Sequence, residues 1–149
     1  MEYKMSTKAI VKDIMSTELI TIERYANFSE LRNLLEKNDI HHIPVVDGEQ
    51  LLGILSTTDV LKYSFGAMGV GQDKKLDKSL DQNISLDAIM QTQVVTVTPD
   101  TPIMAAAELL LYSNFNALPV VDASQKLVGI LTTKDFIGYM LKFEGKLKD

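Results

Sequence analysis

Two stretches of the chain combine residue types that suit the binding of a phosphorylated sugar. Residues 53–59 read GILSTTD, and residues 129–135 read GILTTKD. A serine or threonine followed three residues later by an acid predicts the capped start of a helix. The free N–H groups and the positive dipole of such a helix end suit an anion such as phosphate. The acid has a second use, because a carboxylate can accept both hydroxyls of a ribose. A plain helix cap is the alternative interpretation.

Both stretches belong to a tandem duplication of the sequence. DIMST at 13–17 returns as AIMQT at 88–92, and IPVVD at 43–47 returns as LPVVD at 118–122, both at a shift of 75 residues. After one inserted residue, the glycine at 53 returns at 129. The agreement over almost the whole unit predicts two copies of one fold.

The predicted organisation is a first repeat at 8–65, a flexible linker at 66–82 and a second repeat at 83–143. The linker is rich in glycine and in charged residues. Its Gly71 is followed by Gln-Asp rather than by the Lys-Ser or Lys-Thr of a phosphate-binding loop. A hinge or mobile linker is the interpretation that this composition favours.

The sequence pattern predicts the same order of elements, β-α-β-β-α, in each repeat. The predicted fold class is α+β. The first helix begins after Asn27 or Thr101 as N-cap. A hairpin of two strands follows, and a final helix begins at Ser56 or Thr132. The strands are predicted at 19–22, 42–46 and 51–55 in the first repeat and at 94–97, 118–121 and 127–131 in the second.

Composition excludes several classes of protein. The chain has 149 residues, 46% of them hydrophobic, a net charge of −5 and no cysteine. The acidic balance argues against a nucleic-acid surface, and the lack of cysteine excludes disulfides and thiol catalysis. The sequence contains no apolar run of the roughly 20 residues that span a bilayer, and its N-terminus does not resemble a secretory signal. These features predict a soluble, cytoplasmic protein that contacts neither membrane nor nucleic acid.

The hairpins, their apolar-Pro-Val-Val-Asp strands and the Gly-x-x-Ser/Thr-x-x-Asp endings carry a family resemblance. Each repeat resembles a CBS (cystathionine-β-synthase-type) domain, and residues 8–143 resemble one stand-alone tandem pair, a Bateman module. The resemblance implies two β-α-β-β-α units packed with pseudo-twofold symmetry. It also implies clefts between the repeats that bind an adenosyl nucleotide such as AMP, ADP or ATP, or S-adenosylmethionine.

The resemblance also implies which residues contact the nucleotide. The acids Asp59 and Asp135 would accept the ribose hydroxyls. The remaining members come in matched pairs, one from each repeat. The residues beside the phosphates would be Ser56 and Thr58 in the first repeat and Thr132 and Lys134 in the second. The base would be flanked by Thr21, Ile22 and His42 in the first repeat and by Thr96, Val97 and Ala117 in the second. The pocket wall would be shaped by Pro44 and Pro119.

Two classes of function follow from this sequence. The first is a regulatory module that senses an adenosyl nucleotide and regulates an unidentified protein partner. The second is a structural or protein-interaction module with vestigial clefts; S-adenosylmethionine is the alternative ligand in the first class. No enzyme and no catalytic cofactor are predicted, because two aspartates and a histidine provide no nucleophile–base pair.

Two smaller expectations concern metal binding and assembly. No metal is predicted at His41 and His42, because adjacent residues of a strand face opposite ways. Met15 and Met90 are predicted to fill the core or a dimer contact. Apolar residues on three predicted helices further predict a homodimer; they lie around Leu31-Leu34-Leu35, Ala106-Leu109-Leu110 and Phe136-Met140.

Overall fold

The computed structural model describes residues 8–60, 84–112 and 116–143. The strands are β1 (Ile22–Glu23), β2 (His42–Asp47), β3 (Gln50–Ser56), β4 (Ala117–Val121) and β5 (Leu127–Thr132), and the helices are α1 (Phe28–Lys37), α2 (Leu86–Ile89), α3 (Ile103–Tyr112) and α4 (Thr133–Phe143). Residues 57–60 are also helical. The fold is α+β, and both repeats contain the predicted helix followed by a two-stranded hairpin and a helical segment. The predicted linker at 66–82 falls outside the described residues.

Two compact units make up the chain, and they differ from the two sequence repeats. One unit, here the Asp59 unit, is Ile20–Val94; the other, here the Asp135 unit, combines Met1–Leu19 with Val95–Asp149. The first element of each repeat therefore packs in the unit built mainly by the other repeat. The predicted repeats at 8–65 and 83–143 describe the duplication in the sequence, whereas the compact units exchange their opening segments.

The Asp59 unit is built on a three-stranded sheet with the order β1-β2-β3. Strand β1 runs parallel to β2, and β2 pairs antiparallel with β3 so that His42 lies opposite Ser56. Helix α1 begins with the predicted cap: the N–H of Glu30 donates to Asn27 Oδ1 over 2.9 Å, and the N–H of Asn27 donates to Glu30 Oε2 over 2.8 Å. This capping box fixes where α1 starts. The core contains Ile22, Phe28, Leu31, Ile43, Val45, Leu55, Val60, Leu86 and Ile89.

The Asp135 unit is built on the antiparallel pair β4 and β5. The strand predicted at 94–97 is reduced to an isolated parallel bridge between Val97 and Val120. Thr101, predicted to cap α3, lies two residues before it, and its hydroxyl accepts the N–H of Thr98 over 3.0 Å. The core contains Val11, Val97, Ala106, Leu110, Leu118, Val120 and Leu131.

The exchanged segments are fastened by backbone hydrogen bonds and by their apolar side chains. In the Asp135 unit, the N–H of Val11 donates to Thr101 O over 2.9 Å, and the Val11 side chain is fully buried. In the Asp59 unit, the Leu86 side chain is buried in the core. Arg24 also holds this segment, because its guanidinium lies 2.9 Å from the carboxylate of Asp87.

Both motif glycines lie where the exchanged segments cross the last hairpin strand. A Cβ on Gly53 would lie 2.7 Å from the backbone oxygen of Gln91 and 2.8 Å from Met90 Sδ. A Cβ on Gly129 would lie 2.6 Å from Met15 Sδ. Glycine is therefore required by close approach of another segment rather than by the backbone conformation. Met15 and Met90 are partly buried against the two cores.

Among the described residues, none of the helices combines the length and the apolar character that a membrane crossing requires.

Candidate functional site

The two motifs fold into matched junctions between a strand and a helix. In the Asp59 unit, the N–H of Asp59 donates to Ser56 Oγ over 3.1 Å, and the N–H of Ser56 donates to Asp59 Oδ2 over 3.4 Å. In the Asp135 unit, the N–H of Asp135 donates to Thr132 Oγ1 over 3.3 Å, and the N–H of Thr132 donates to Asp135 Oδ2 over 2.9 Å. Each pair is a reciprocal capping box with aspartate as its acid. The caps predicted at Ser56 and Thr132 are confirmed.

One backbone N–H remains available at each helix start. The first N–H groups of a helix have no partner within the helix. The N–H of Thr57 donates to His41 O over 2.9 Å, and the N–H of Thr133 donates to Asn116 O over 3.2 Å. The cap hydroxyls take the N–H groups of the two aspartates. The N–H of residue 58 or 134 is left, and no described residue accepts it.

The residues that carry this free N–H differ between the units. Thr58 and Lys134 are both exposed, so an anion can reach them from solvent. Thr58 adds a neutral hydroxyl, whereas Lys134 adds a positive charge. The positive end of the helix dipole favours an anion at both places. The two junctions thus share a backbone donor and differ in charge.

The first residue of each hairpin lies directly opposite the cap hydroxyl. His42 pairs with Ser56, and Ala117 pairs with Thr132. Burial lowers the pKa of the His42 imidazole below its usual range, His41 lowers this pKa further, and the Asp59 carboxylate raises it. The neutral imidazole offers one donor and one acceptor beside Asp59. The buried Ala117 offers neither.

The remaining predicted residues include four apolar positions that are buried. The side chains of Ile22 and Val97 belong to the two cores, and both prolines, Pro44 and Pro119, are buried. The N–H of Val97 donates to Pro119 O over 3.1 Å, and Val97 O accepts the N–H of Val121 over 2.9 Å. These apolar positions therefore belong to the cores of the two units.

Two polar neighbours of these core residues remain accessible. Thr21 and Thr96 are half-buried, one residue before Ile22 and Val97 respectively. The residues predicted from each repeat all belong to one compact unit.

Sequence reasoning missed the contribution of the exchanged segments to the two junctions. Ser16 Oγ donates to Asp135 Oδ1 over 3.4 Å. Gln91 occupies the equivalent place in the Asp59 unit, since Ser16 pairs with Ile130 and Gln91 with Ile54. The signal was present, because Ser16 and Gln91 are the same position of the repeated segments DIMST and AIMQT.

The described residues provide no group of three or more histidine, cysteine or acidic side chains that could hold a metal ion. His41 is exposed and precedes β2, whereas His42, the first residue of β2, is half-buried.

Comparison with known proteins places the duplication in a family. The family model for the CBS domain matches residues 11–66 and 86–142. A CBS domain-containing protein of Dictyostelium discoideum is 31% identical over 137 residues, which cover 91% of this chain and 93% of that protein. The chain spans 13% of another relative, an A-adding tRNA nucleotidyltransferase of Geobacter sulfurreducens. The enzyme name therefore describes a much longer protein, of which this chain matches only a small part.

Two solved structures of CBS pairs resemble the chain along most of its length. CBSX2, a CBS-pair protein of Arabidopsis thaliana whose structure contains AMP, is 28% identical with a TM-score of 0.75, covering 91% of this chain and 98% of that chain. The CBS domain pair of protein MJ0100, with 5′-methylthioadenosine and S-adenosyl-L-methionine, is 30% identical with a TM-score of 0.70, covering 93% and 98%. Both matches extend across both repeats. With two family matches in one chain and the fold of a CBS pair, this protein belongs to the CBS domain family.

Proposed function

We propose that the protein is a regulatory module that senses an adenosyl nucleotide through two sets of residues, one in each compact unit. The observation that supports this proposal best is the matched pair of capping boxes. Each box places an aspartate next to a helix N–H, that of residue 58 or 134, for which the described residues provide no acceptor. The acid suits the ribose hydroxyls of the ligand, and the N–H suits its phosphate. The hydroxyl and the acid have the same spacing in both sets, Ser56 with Asp59 and Thr132 with Asp135.

The ligands of the two similar structures support the adenosyl class. CBSX2 binds AMP, and the MJ0100 pair binds 5′-methylthioadenosine and S-adenosyl-L-methionine. These ligands share the adenine and the ribose and differ beyond the 5′ carbon. In this proposal Asp59 and Asp135 bind the ribose that the ligands share. Thr58 and Lys134 contact the group beyond the 5′ carbon, which differs between the ligands. Lys134 favours AMP, ADP or ATP over the sulfonium ligand, because a cation attracts phosphate and repels a second cation.

Calorimetric titration tests this proposal directly. AMP, ADP, ATP and S-adenosylmethionine are each titrated into the unaltered protein. The same titrations are repeated with the variants Asp59→Ala and Asp135→Ala. Loss of hydrogen bonds to a charged acceptor, at about 1.5–3 kcal/mol each, should weaken binding at the altered site at least tenfold. Asp59→Asn and Asp135→Asn keep an acceptor for the cap and separate lost binding from lost folding.

The control variant is Asp100→Ala, which removes an exposed acid outside both junctions. It should bind every ligand as the parent does. Absence of binding of all four ligands to the parent protein would overturn the proposal and favour a protein-interaction module instead.

The interaction module is kept as a second candidate because one observation favours it. Helix α4 has no buried residue, and its apolar side chains Ile137 and Phe143 are 58% and 46% exposed. On α3, Met104 is 49% and Leu111 is 72% exposed. An apolar surface of this kind is typical of an interface. We propose a homodimer that uses α3 and α4, which is compatible with either function.

A further inference from the structure

A hydroxyl from outside the strand-to-helix motif reaches the candidate ribose acceptor of the Asp135 unit. Ser16 Oγ donates to Asp135 Oδ1 over 3.4 Å. The backbone of Ser16 is held from both sides, because its N–H donates to Ile130 O over 2.9 Å and its carbonyl accepts the N–H of Ile130 over 3.0 Å. A side chain on a backbone fixed in this way is placed before any ligand arrives.

The carboxylate of Asp135 has little remaining capacity to accept hydrogen bonds. A carboxylate has about four lone-pair positions. Asp135 Oδ2 accepts the N–H of Thr132 over 2.9 Å and its hydroxyl over 3.1 Å, and Oδ1 accepts Ser16. A ribose diol brings two O–H donors, so one of them needs a different acceptor. Ser16 Oγ keeps its lone pairs for this purpose while it donates to Asp135.

The Asp59 unit lacks this arrangement. Gln91 occupies the place of Ser16 and pairs with the backbone of Ile54 over 3.0 and 2.9 Å. Within the described residues, the Asp59 carboxylate accepts one hydrogen bond, from the N–H of Ser56. It therefore has room for both hydroxyls of a diol by itself. The two acids differ in how many donors they already hold.

We propose that Ser16 is a ligand-contacting residue of the Asp135 site: it accepts one ribose hydroxyl while Asp135 accepts the other. The inference rests on the proposed function and names the part of the ligand concerned, the vicinal diol of an adenosyl ribose. The segment at 13–17 thus supplies a specificity-determining side chain to the unit built by the second repeat. The Asp59 site has no counterpart of this hydroxyl.

The test isolates the Asp135 site by using the full chain with Asp59→Ala as the parent. AMP, 2′-deoxy-AMP and 3′-deoxy-AMP are titrated by calorimetry into this parent and into the same protein with Ser16→Ala. Loss of one neutral hydrogen bond should weaken AMP binding about two- to tenfold. One of the two deoxy nucleotides should then bind both proteins equally, because the hydroxyl that it lacks is the one that Ser16 accepts.

Three further variants serve as controls. Thr17→Ala removes the hydroxyl of the exposed neighbour and should leave all affinities unchanged. Ser16→Thr keeps a hydroxyl and should bind AMP as the parent does. Ser16→Gly removes the hydroxyl together with the Cβ and should lose the same affinity as Ser16→Ala.

The outcomes separate this inference from the proposed function. If Ser16→Ala binds AMP as tightly as the parent, or more tightly, Ser16 makes no contact or competes with the ribose, and the inference alone is overturned. If the Asp59→Ala parent binds no AMP while the unaltered protein does, the Asp135 unit has no nucleotide site, and the inference is overturned together with that half of the proposal.

Discussion

Thr58 and Lys134 hold the same place in the two helix starts, and at both places no described residue accepts the backbone N–H. Lysine adds an ammonium group that can form a charge-assisted hydrogen bond with phosphate. Threonine adds a neutral hydroxyl. The site in the Asp135 unit should therefore prefer ATP and ADP over adenosine more strongly than the site in the Asp59 unit does.

Lys134→Ala should weaken ATP binding about tenfold, the value of one hydrogen bond to a charged group. Adenosine binding should stay nearly unchanged, since adenosine presents no phosphate. The reciprocal variant Thr58→Lys should strengthen ATP binding at the other site. Calorimetric titration measures all three effects. Equal losses for ATP and adenosine on Lys134→Ala would exclude a phosphate contact.

His42 gives the Asp59 unit a titratable group that Ala117 does not provide in the other unit. Burial lowers the pKa of His42 from its ordinary value of 6.5. The unfolded chain therefore binds more protons than the folded protein at pH values just below 6.5. The free energy of unfolding should fall as pH drops through that window and should be insensitive to His42 above it.

Urea unfolding above and below this window checks the expectation. His42→Ala, which copies the residue of the second repeat, should reduce the pH dependence. His41→Ala should keep most of it, because burial of His42 rather than the neighbouring charge is the largest cause. A pH dependence that survives His42→Ala unchanged would assign it to other groups.

The exchanged segments dominate the architecture at the scale of elements. Each one crosses the final hairpin strand of a unit, pairs with its backbone and adds apolar side chains to its core. In the Asp135 unit the same crossing delivers Ser16 to Asp135. The glycine of each motif is thus required because the exchanged segment packs against it. The serine or threonine and the aspartate of the same motif form the helix cap.

Gly53→Ala should destabilise the protein by about 1–3 kcal/mol, the usual cost of forcing extra volume into a packed place. The new Cβ would meet a backbone oxygen of Gln91 at 2.7 Å, which cannot rotate away as a side chain can. Gly138→Ala is the control, because a Cβ there meets nothing within 4 Å. Being inside α4, it should stabilise the helix by about 0.5–1 kcal/mol.

Denaturant unfolding of both variants measures these changes. A Gly53→Ala protein as stable as the parent would show that the crossing segment can shift without cost.

The exposed apolar side chains of α3 and α4 concern the molecule as a whole. The prediction from sequence also counted the face around Leu31 on α1, but Leu31 is fully buried in the core, and Leu34 and Leu35 pack against that core. Among the described residues, the large apolar side chains left exposed lie on α3 and α4, apart from Tyr25. These helices therefore carry the proposal of a homodimer.

Light scattering at tens of micromolar should show a dimer for the parent protein. Ile137→Glu with Met140→Glu should raise the dissociation constant at least tenfold, because an interface would bury unpaired charges. Glu36→Ala on α1 changes an exposed polar position outside α3 and α4 and should leave the dimer intact. A parent protein that is monomeric under these conditions would remove the proposal.

The sequence by itself determined the duplication, the order of elements and the two capped helix starts. These features depend on local signals: a repeated pattern, turn residues, and a hydroxyl with an acid three residues on. The hairpin pairing beside each cap also follows from local signals. His42 and Ser56, for example, face each other because the turn at Asp47-Gly48-Glu49 fixes the hairpin register.

Tertiary structure alone decided how the repeats share their elements. Nothing local in residues 8–19 distinguishes packing on their own repeat from packing on the other, because both repeats have the same apolar pattern. The choice depends on contacts distant in sequence, such as Ser16 with Ile130 and Gln91 with Ile54. For the same reason the hydroxyl of Ser16 became a neighbour of Asp135, 119 residues away, only when the chain had folded.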